Sequence, residues 1–197
     1  MGSRVRISAI ILLVVATLSV VSPAVAQEEN ENPTPQAELY GGYYYARFNV
    51  SVNATPFPAP AGFNGNGGGG QLEYNVNSWA GAVADFAGYH VSTTPSVGAF
   101  SYLFGPRINF RRKRQTAMLF AHVLLGGIHA NGPIGRVGNG TAFALTVGAG
   151  VDVKVSPSVA IRLAQAEYFM TRFTDGLSNR QDNFRFGAGV VFRFGHK

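Results

Sequence analysis

The side chains that could support nucleophilic catalysis are His90 and Ser92, with Glu167 as the acid. In such a set the histidine removes the serine proton and the acid orients the histidine. His90 and Ser92 fall where a predicted strand ends in a short connection, and nothing in the sequence places Glu167 beside them. We therefore predict no catalytic residues and interpret the pair as polar residues of a loop.

A glycine-rich run at residues 65–70, Gly-Asn-Gly-Gly-Gly-Gly, matches the G-x-G-x-x-G pattern of dinucleotide-binding sites. Those sites need a helix directly after the glycines, because the helix N-terminus binds the phosphates. Residues 71–76 instead alternate between polar and apolar types, as a strand does. We predict no nucleotide binding and interpret the run as a flexible external loop.

The sequence predicts neither a metal site nor a cofactor. The histidines His90, His122, His129 and His196 are spread over separate predicted strands, connections and the tail, and the chain has no cysteine. Metal sites need several ligands that the fold brings together, and this spacing indicates no such cluster.

The first 26 residues have the features of a secretory signal peptide. Arg4 and Arg6 provide positive charge, residues 7–21 are almost wholly apolar, and residues 24–26 (Ala-Val-Ala) match a cleavage site. The short apolar stretch and the small residues after it favour a cleaved signal peptide over an uncleaved membrane anchor.

The chain after the signal peptide divides into a lead and one domain. Residues 27–36 are acidic and contain two prolines, so we predict a disordered lead. Residues 37–195 are enough for a single domain of ordinary size.

The composition is unusual for a soluble protein. Charged residues make up 13% of the chain, about half the usual share, and hydrophobic residues make up 46%. The mean hydropathy of +0.09 is too low for a bundle of transmembrane helices. Glycine (25 residues), phenylalanine (15) and tyrosine (8) are abundant and favour strands and tight turns.

Hydrophobic residues recur with a period of two, which indicates β-strands. Near the C-terminus, Phe184, Phe186 and Phe192 share one face, and Arg185 and Arg193 share the other. Many of the strands reach the length of about 9–11 residues that a tilted strand needs to cross a bilayer. The pattern predicts eight strands, at 38–50, 67–76, 79–90, 96–110, 116–129, 141–155, 159–170 and 182–195.

The two faces of these strands predict an all-β fold, an eight-stranded antiparallel up-and-down barrel that crosses a membrane. One face is rich in aromatic residues, and the other mixes glycine with charges of both signs, which fits lipid outside and a narrow lumen inside. The connections after strands two, four and six are short, and those after strands one, five and seven are long. Such barrels have short periplasmic turns and longer external loops.

Eleven polar residues are predicted to face the interior. An eight-stranded barrel is just wide enough for its own side chains, and buried charges must pair, so we expect a plugged lumen. Arg162 differs in parity from Gln165 and Glu167, which predicts a β-bulge near Leu163 and Ala164. The predicted set is Glu73, Asp85, Arg107, His122, Asp152, Lys154, Arg162, Gln165, Glu167, Arg185 and Arg193.

Four consecutive cations, Arg111, Arg112, Lys113 and Arg114, form the predicted turn after strand four. A single turn without interleaved aromatic residues does not favour nucleic-acid binding. Two interpretations remain open. The turn lies against anionic headgroups or the acidic cell-wall layer on the periplasmic side, where each cation contributes about 1 kcal/mol, or it is simply solvated.

Four segments of the chain resemble the OmpA/OmpX-like family of eight-stranded outer-membrane β-barrels. One departure is that Gly195-His196-Lys197 follow the final aromatic residue, Phe194, where such barrels often end. The segments are residues 38–45 (ELYGGYYY), 83–86 (VADF), 102–107 (YLFGPR) and 183–194 (NFRFGAGVVFRF).

The resemblance implies a monomeric protein in the outer membrane of a Gram-negative bacterium. It implies contact with outer-membrane lipids and lipopolysaccharide, and with the envelope assembly machinery during insertion. We expect a structural or surface-interaction role without catalysis. The alternatives are an enzyme that modifies lipids through Ser92 or His90, a narrow porin, and a soluble lipocalin-like barrel with an apolar interior.

Overall fold

The computed structural model describes residues 34–49, 62–91, 97–111, 116–131, 140–173 and 179–196. Each strand pairs antiparallel with the next, and β1 pairs with β8, so the sheet closes into a barrel. This confirms the predicted eight-stranded barrel. The strands are β1 (Pro35–Phe48), β2 (Phe63–Asn75), β3 (Ala80–Val91), β4 (Val97–Phe110), β5 (Ala117–Asn131), β6 (Gly140–Ser156), β7 (Val159–Thr171) and β8 (Gln181–His196).

Several predicted boundaries change or lie outside the described residues. The predicted signal peptide and residues 27–33 of the predicted lead are outside them, as are most of the predicted long loops. β1 begins at Pro35, so the last two residues of the predicted lead are strand. In the described part of the chain, no helix is long and apolar enough to span a bilayer.

The two ends of the barrel differ. The base end holds the start of β1, the end of β8 and the tight turns at residues 76–79 and 157–158. In the first of these turns, Asn77 Oδ1 accepts the backbone N–H groups of Trp79 and Ala80, at 2.9 and 2.7 Å. The opposite end, where β1 ends and β2 begins, is the loop end.

Every strand has large apolar side chains that point outward. Phe184, Phe186 and Phe192 are 45–50% exposed, whereas the intervening Arg185 is 0% exposed. A soluble barrel would show the reverse, because exposed aromatic surface of this extent is unfavourable in water. The predicted orientation, with apolar side chains outside and charged side chains inside, is therefore confirmed.

The glycine run of β2 is strand, so its interpretation as an external loop was wrong. β2 begins at Phe63 and pairs with β1 and β3 through every glycine of the run. An added Cβ at Gly69 would lie 2.4 Å from the carbonyl oxygen of Phe86 and 2.8 Å from the Tyr44 ring. Glycine is therefore required where the barrel wall and an interior aromatic ring approach closely.

We expect Gly69→Ala to destabilise the barrel by about 1–3 kcal/mol, because backbone atoms of β3 must move to admit the methyl group. Gly88→Ala is a matched control on the neighbouring strand, since nothing lies within 4 Å of its added Cβ. Urea-induced unfolding in lipid vesicles measures both. Equal stabilities of the two variants would contradict the steric argument.

The predicted bulge in β7 is confirmed. The register with β8 shifts between Arg162 and Gln165. Leu163 and Ala164 are both exposed, and Arg162, Gln165 and Glu167 are all buried. The extra residue in the bulge brings Arg162 to the same inward side as Gln165 and Glu167, although their positions differ in parity.

Candidate functional site in the barrel interior

The interior gathers most of the predicted polar set. Nine of its members are at most 3% exposed. The other two, Lys154 and Arg193, are half-buried near the base end. The nine buried residues are Glu73, Asp85, Arg107, His122, Asp152, Arg162, Gln165, Glu167 and Arg185.

Arg185 on β8 joins carboxylates from opposite walls of the barrel. Its Nη1 donates to Asp85 Oδ1 on β3 at 2.8 Å, and its Nη2 donates to Glu167 Oε1 on β7 at 2.8 Å. Nη1 also donates to the Tyr89 hydroxyl at 3.0 Å. The guanidinium carbon lies 4.6 Å from the centre of the Tyr44 ring. One cation thus pairs with two carboxylates that have no access to water.

Arg162 forms a second ion pair at mid-height. Its Nε and Nη2 donate to the two carboxylate oxygens of Asp152, at 2.8 and 3.0 Å, which is the fork geometry favoured by guanidinium groups. Its Nη1 donates to Gln71 Oε1 at 2.6 Å. The guanidinium lies between the rings of Tyr40 and Phe120, at 4.4 and 4.3 Å. The hydrogen bonds and the two rings fix the arginine in place.

The Phe120 ring contacts a second guanidinium group, that of Arg107. The Arg107 guanidinium lies 4.2 Å from the Phe120 ring centre, and Arg107 Nη1 donates to Glu73 Oε2 at 2.7 Å. His122 Nε2 lies 2.7 Å from Glu167 Oε1. Because a carboxylate oxygen accepts a hydrogen bond, the ring hydrogen is assigned to Nε2. The network thus runs from Glu73 to Glu167 without leaving the interior.

The base end contains a third cluster, centred on Glu38, which sequence reasoning missed. Arg111 Nη2 donates to Glu38 Oε1, and Arg193 Nε lies 3.4 Å from Glu38 Oε2. Arg111 Nη1 also donates to the Ser78 carbonyl oxygen at 2.9 Å.

This arrangement corrects the expected position of one residue of the predicted basic turn, Arg111. Arg111 reaches into the mouth of the barrel rather than lying with headgroups or in bulk water, because Glu38 attracts it. The other three cations of that turn, Arg112, Lys113 and Arg114, lie outside the described residues.

The loop end of the interior combines an aromatic cluster with buried uncharged polar side chains such as Thr171 and Asn183, whereas a polar lumen was expected. Phe48 packs edge-on against Tyr89, with ring centres 5.6 Å apart, and lies 6.2 Å from Phe169. The interior therefore has ion pairs in its base and middle, and aromatic and uncharged polar side chains at its loop end.

Other interior residues were missed although strand parity could have found them. Gln71 and Asn75 share the parity of Glu73, and Asn109 shares the parity of Arg107. All three are at most 2% exposed. Tyr44 gives no polar signal in the sequence, yet its hydroxyl donates to Asp85 Oδ2 at 3.1 Å.

The geometry does not assemble the Ser/His/acid set. His90 is exposed on the outer surface, whereas Glu167 is buried inside against His122 and Arg185. Ser92 lies outside the described residues. Among the residues that the structure describes, no group of three metal-binding side chains occurs.

A closed eight-stranded sheet with an apolar exterior and an ion-paired interior defines a transmembrane β-barrel. The family model of the outer membrane protein beta-barrel domain matches residues 10–194. The chain therefore belongs to this family of Gram-negative outer-membrane proteins.

Solved structures share the fold at low sequence identity. Neisserial surface protein A is 16% identical, with a TM-score of 0.65 over 81% of this chain and 97% of that one. The attachment invasion locus protein Ail of Yersinia pestis is 18% identical, with a TM-score of 0.54 over 82% and 99%. OprG of Pseudomonas aeruginosa is 7% identical, with a TM-score of 0.55 over 84% and 98%. The search of curated proteins gives no significant match.

Proposed function

We propose that this protein is a non-conducting outer-membrane barrel that acts as a rigid scaffold for surface loops and has no catalytic activity. The observation that carries the proposal is the bridge that Arg185 makes between Asp85 on β3 and Glu167 on β7. These two strands lie opposite each other in the ring of eight. A solute on the barrel axis would have to break this bridge.

Two further features support a closed lumen. Arg107 and Arg162, from β4 and β7, both donate to Gln71 Oε1 on β2, so the middle of the interior is cross-linked. At the loop end, buried Phe48 and Phe169 add an aromatic cluster that a hydrated ion would have to displace. The ion-paired middle and the aromatic cluster at the loop end oppose permeation by different physical means, so loss of one leaves the other in place.

The proposal favours a structural role over lipid modification, because Glu167 is engaged with Arg185 and His122 and cannot orient His90. In a Ser/His/acid set the histidine base is oriented by such a partner within hydrogen-bond reach. Mass spectrometry of outer-membrane lipids, with and without expression of the protein, tests this part. A lipid change that disappears in His90→Ala would overturn it.

Planar-bilayer recording tests the closed lumen. Purified full-length mature protein, with insertion verified by a heat-dependent shift in gel mobility, should give no steady current above that of the bare bilayer. Gln71 accepts hydrogen bonds from both arginines in the middle of the interior, so the variant Gln71→Ala is recorded beside the wild type. We expect this variant to stay closed because the aromatic cluster at the loop end remains. A steady open current from the wild-type barrel would refute the proposal and favour a narrow porin.

A further inference from the structure

The mouth of the barrel at the base end contains a buried cation with unused hydrogen-bond donors. Only 9% of the Arg193 side-chain surface is exposed, and the Arg193 backbone N–H donates to the carbonyl oxygen of Ser158 in a base-end turn. Among the residues that the structure describes, the Arg193 side chain has one partner, Glu38, whose Oε2 lies 3.4 Å from Nε. Nη1 and Nη2 of Arg193 therefore have donors for a further acceptor.

The setting of Arg193 favours a second carboxylate. Glu38 is shared, because its Oε1 also accepts from Arg111. A guanidinium group keeps its charge at any ordinary pH, and a buried charge with too few partners is unfavourable. A carboxylate at Nη1 and Nη2 would use these donors in the paired geometry that guanidinium groups favour.

The sequence limits which carboxylate this can be. Of its ten acidic residues, Glu38 is shared as described, and Asp182 and Asp175 lie at or beyond the loop-end edges of β7 and β8. The four acids in the middle of the interior are each paired with an arginine: Glu73, Asp85, Asp152 and Glu167. The remaining three are all in the acidic lead: Glu28, Glu29 and Glu31.

The start of β1 brings the lead to the base mouth. Thr34, the first described residue, is 8% exposed, and the next residue, Pro35, is buried. The Asn75 side chain on β2 donates to the Pro35 carbonyl oxygen at 3.0 Å. Glu31 is three residues before Thr34, so it lies at most about 10 Å along the chain from this buried point. The lead is thus tethered within reach of the mouth.

We propose that the acidic lead, residues 27–33, docks over the base mouth and that its glutamates accept hydrogen bonds from Arg193. Under the predicted cleavage after Ala26, the lead is the N-terminus of the mature protein and acts as a tethered ligand of its own barrel. This inference goes beyond the proposed function, because it adds a closure at the base end that is separate from both barriers in the interior.

Electron paramagnetic resonance between two nitroxide labels tests the docking. The sequence has no cysteine, so Asn30→Cys/Val155→Cys gives two specific labelling sites. The first is in the lead, and the second is exposed on β6 next to a base-end turn. The labelled mature protein in detergent should give a narrow distance distribution, because docking holds the lead at one position. A broad distribution, as from a free lead, would overturn the proposal.

Removal of either side of the contact should free the lead. In Arg193→Gln, and separately in Glu28→Gln/Glu29→Gln/Glu31→Gln, the ratio of docked to free lead should fall at least about tenfold, the usual effect of losing hydrogen bonds between charged groups. Arg47→Gln has the same charge change as Arg193→Gln but lies at the loop end of β1, so it should keep the narrow distribution.

Two further outcomes would contradict docking on Arg193. One is a narrow distribution that persists in the lead variant. The other is a distribution that stays narrow in Arg193→Gln and broadens in Arg112→Gln/Lys113→Gln/Arg114→Gln, which would assign the lead to the basic turn. Heat-modifiability confirms that each barrel is folded, and the lead variant leaves the barrel sequence unchanged, so the test stands even if Arg193→Gln does not fold.

Discussion

Replacement of Arg185 by methionine should lower the free energy of unfolding by about 3–5 kcal/mol, the range seen when one partner of a buried ion pair is removed. Arg185 is fully buried and is within hydrogen-bond distance of both Asp85 and Glu167. Methionine keeps much of the apolar volume of the side chain but leaves two carboxylates without their cation. The loss is therefore electrostatic rather than steric.

Charge removal from the partners should rescue the variant. In Arg185→Met/Asp85→Asn/Glu167→Gln no uncompensated charge remains, and both amides can still accept hydrogen bonds. We expect most of the lost stability to return, because buried ion pairs can often be exchanged for neutral groups at little net change.

Urea-induced unfolding in lipid vesicles measures both variants, with Arg180→Gln as the control. Arg180 also forms an ion pair, but it and its partner Asp182 are about half exposed, at 43% and 56%. Exposed pairs contribute about 0–1 kcal/mol. If Arg185→Met were as stable as Arg180→Gln, the interior network would not be a major source of stability.

The side of the barrel that each strand residue faces was predictable, because a strand alternates strictly between two faces. Parity alone placed Arg107, Asp152 and Arg185 inside, and the change of parity between Arg162 and Gln165 located the bulge. These inferences needed only local sequence, since the pleat of the backbone determines the side on which a side chain lies.

The partner of each charge was not predictable. Asp85 and Arg185 are 100 positions apart in sequence, and their contact depends on strand stagger around the whole barrel. Glu38 was missed for the same reason, because its partner Arg111 lies 73 positions away. Alternation gives the face of a residue but not its height relative to residues on distant strands.

Two local signals were misleading. Glycine is a strong turn signal, so the run at residues 65–70 was interpreted as a loop. Tertiary packing overrides this signal, because the Tyr44 ring and the β3 backbone leave no space for a Cβ at Gly69. The aromatic cluster at the loop end was missed because Phe48 and Phe169 have the same inward parity as polar residues, and alternation does not separate the two types.

An arginine placed on the outer face should be tolerated near the edge of the barrel and not at its middle. Val190 lies near the centre of the outward apolar run of β8, and Val155 lies on β6 next to the turn at the base end. Both valines are exposed, at 37% and 62%. The same change, valine to arginine, therefore compares two depths.

We expect Val190→Arg to cost about 2–4 kcal/mol and Val155→Arg about 0–1 kcal/mol, because an arginine at the bilayer midplane is desolvated and one near the interface reaches water. Val190→Leu keeps the apolar character and should stay within about 0.5 kcal/mol of the wild type. If the outer face of the barrel were in water, arginine would cost about the same at both positions. A difference in stability between the two variants should therefore appear when unfolding is measured in lipid vesicles. Equal losses at the two sites would contradict the position of the bilayer.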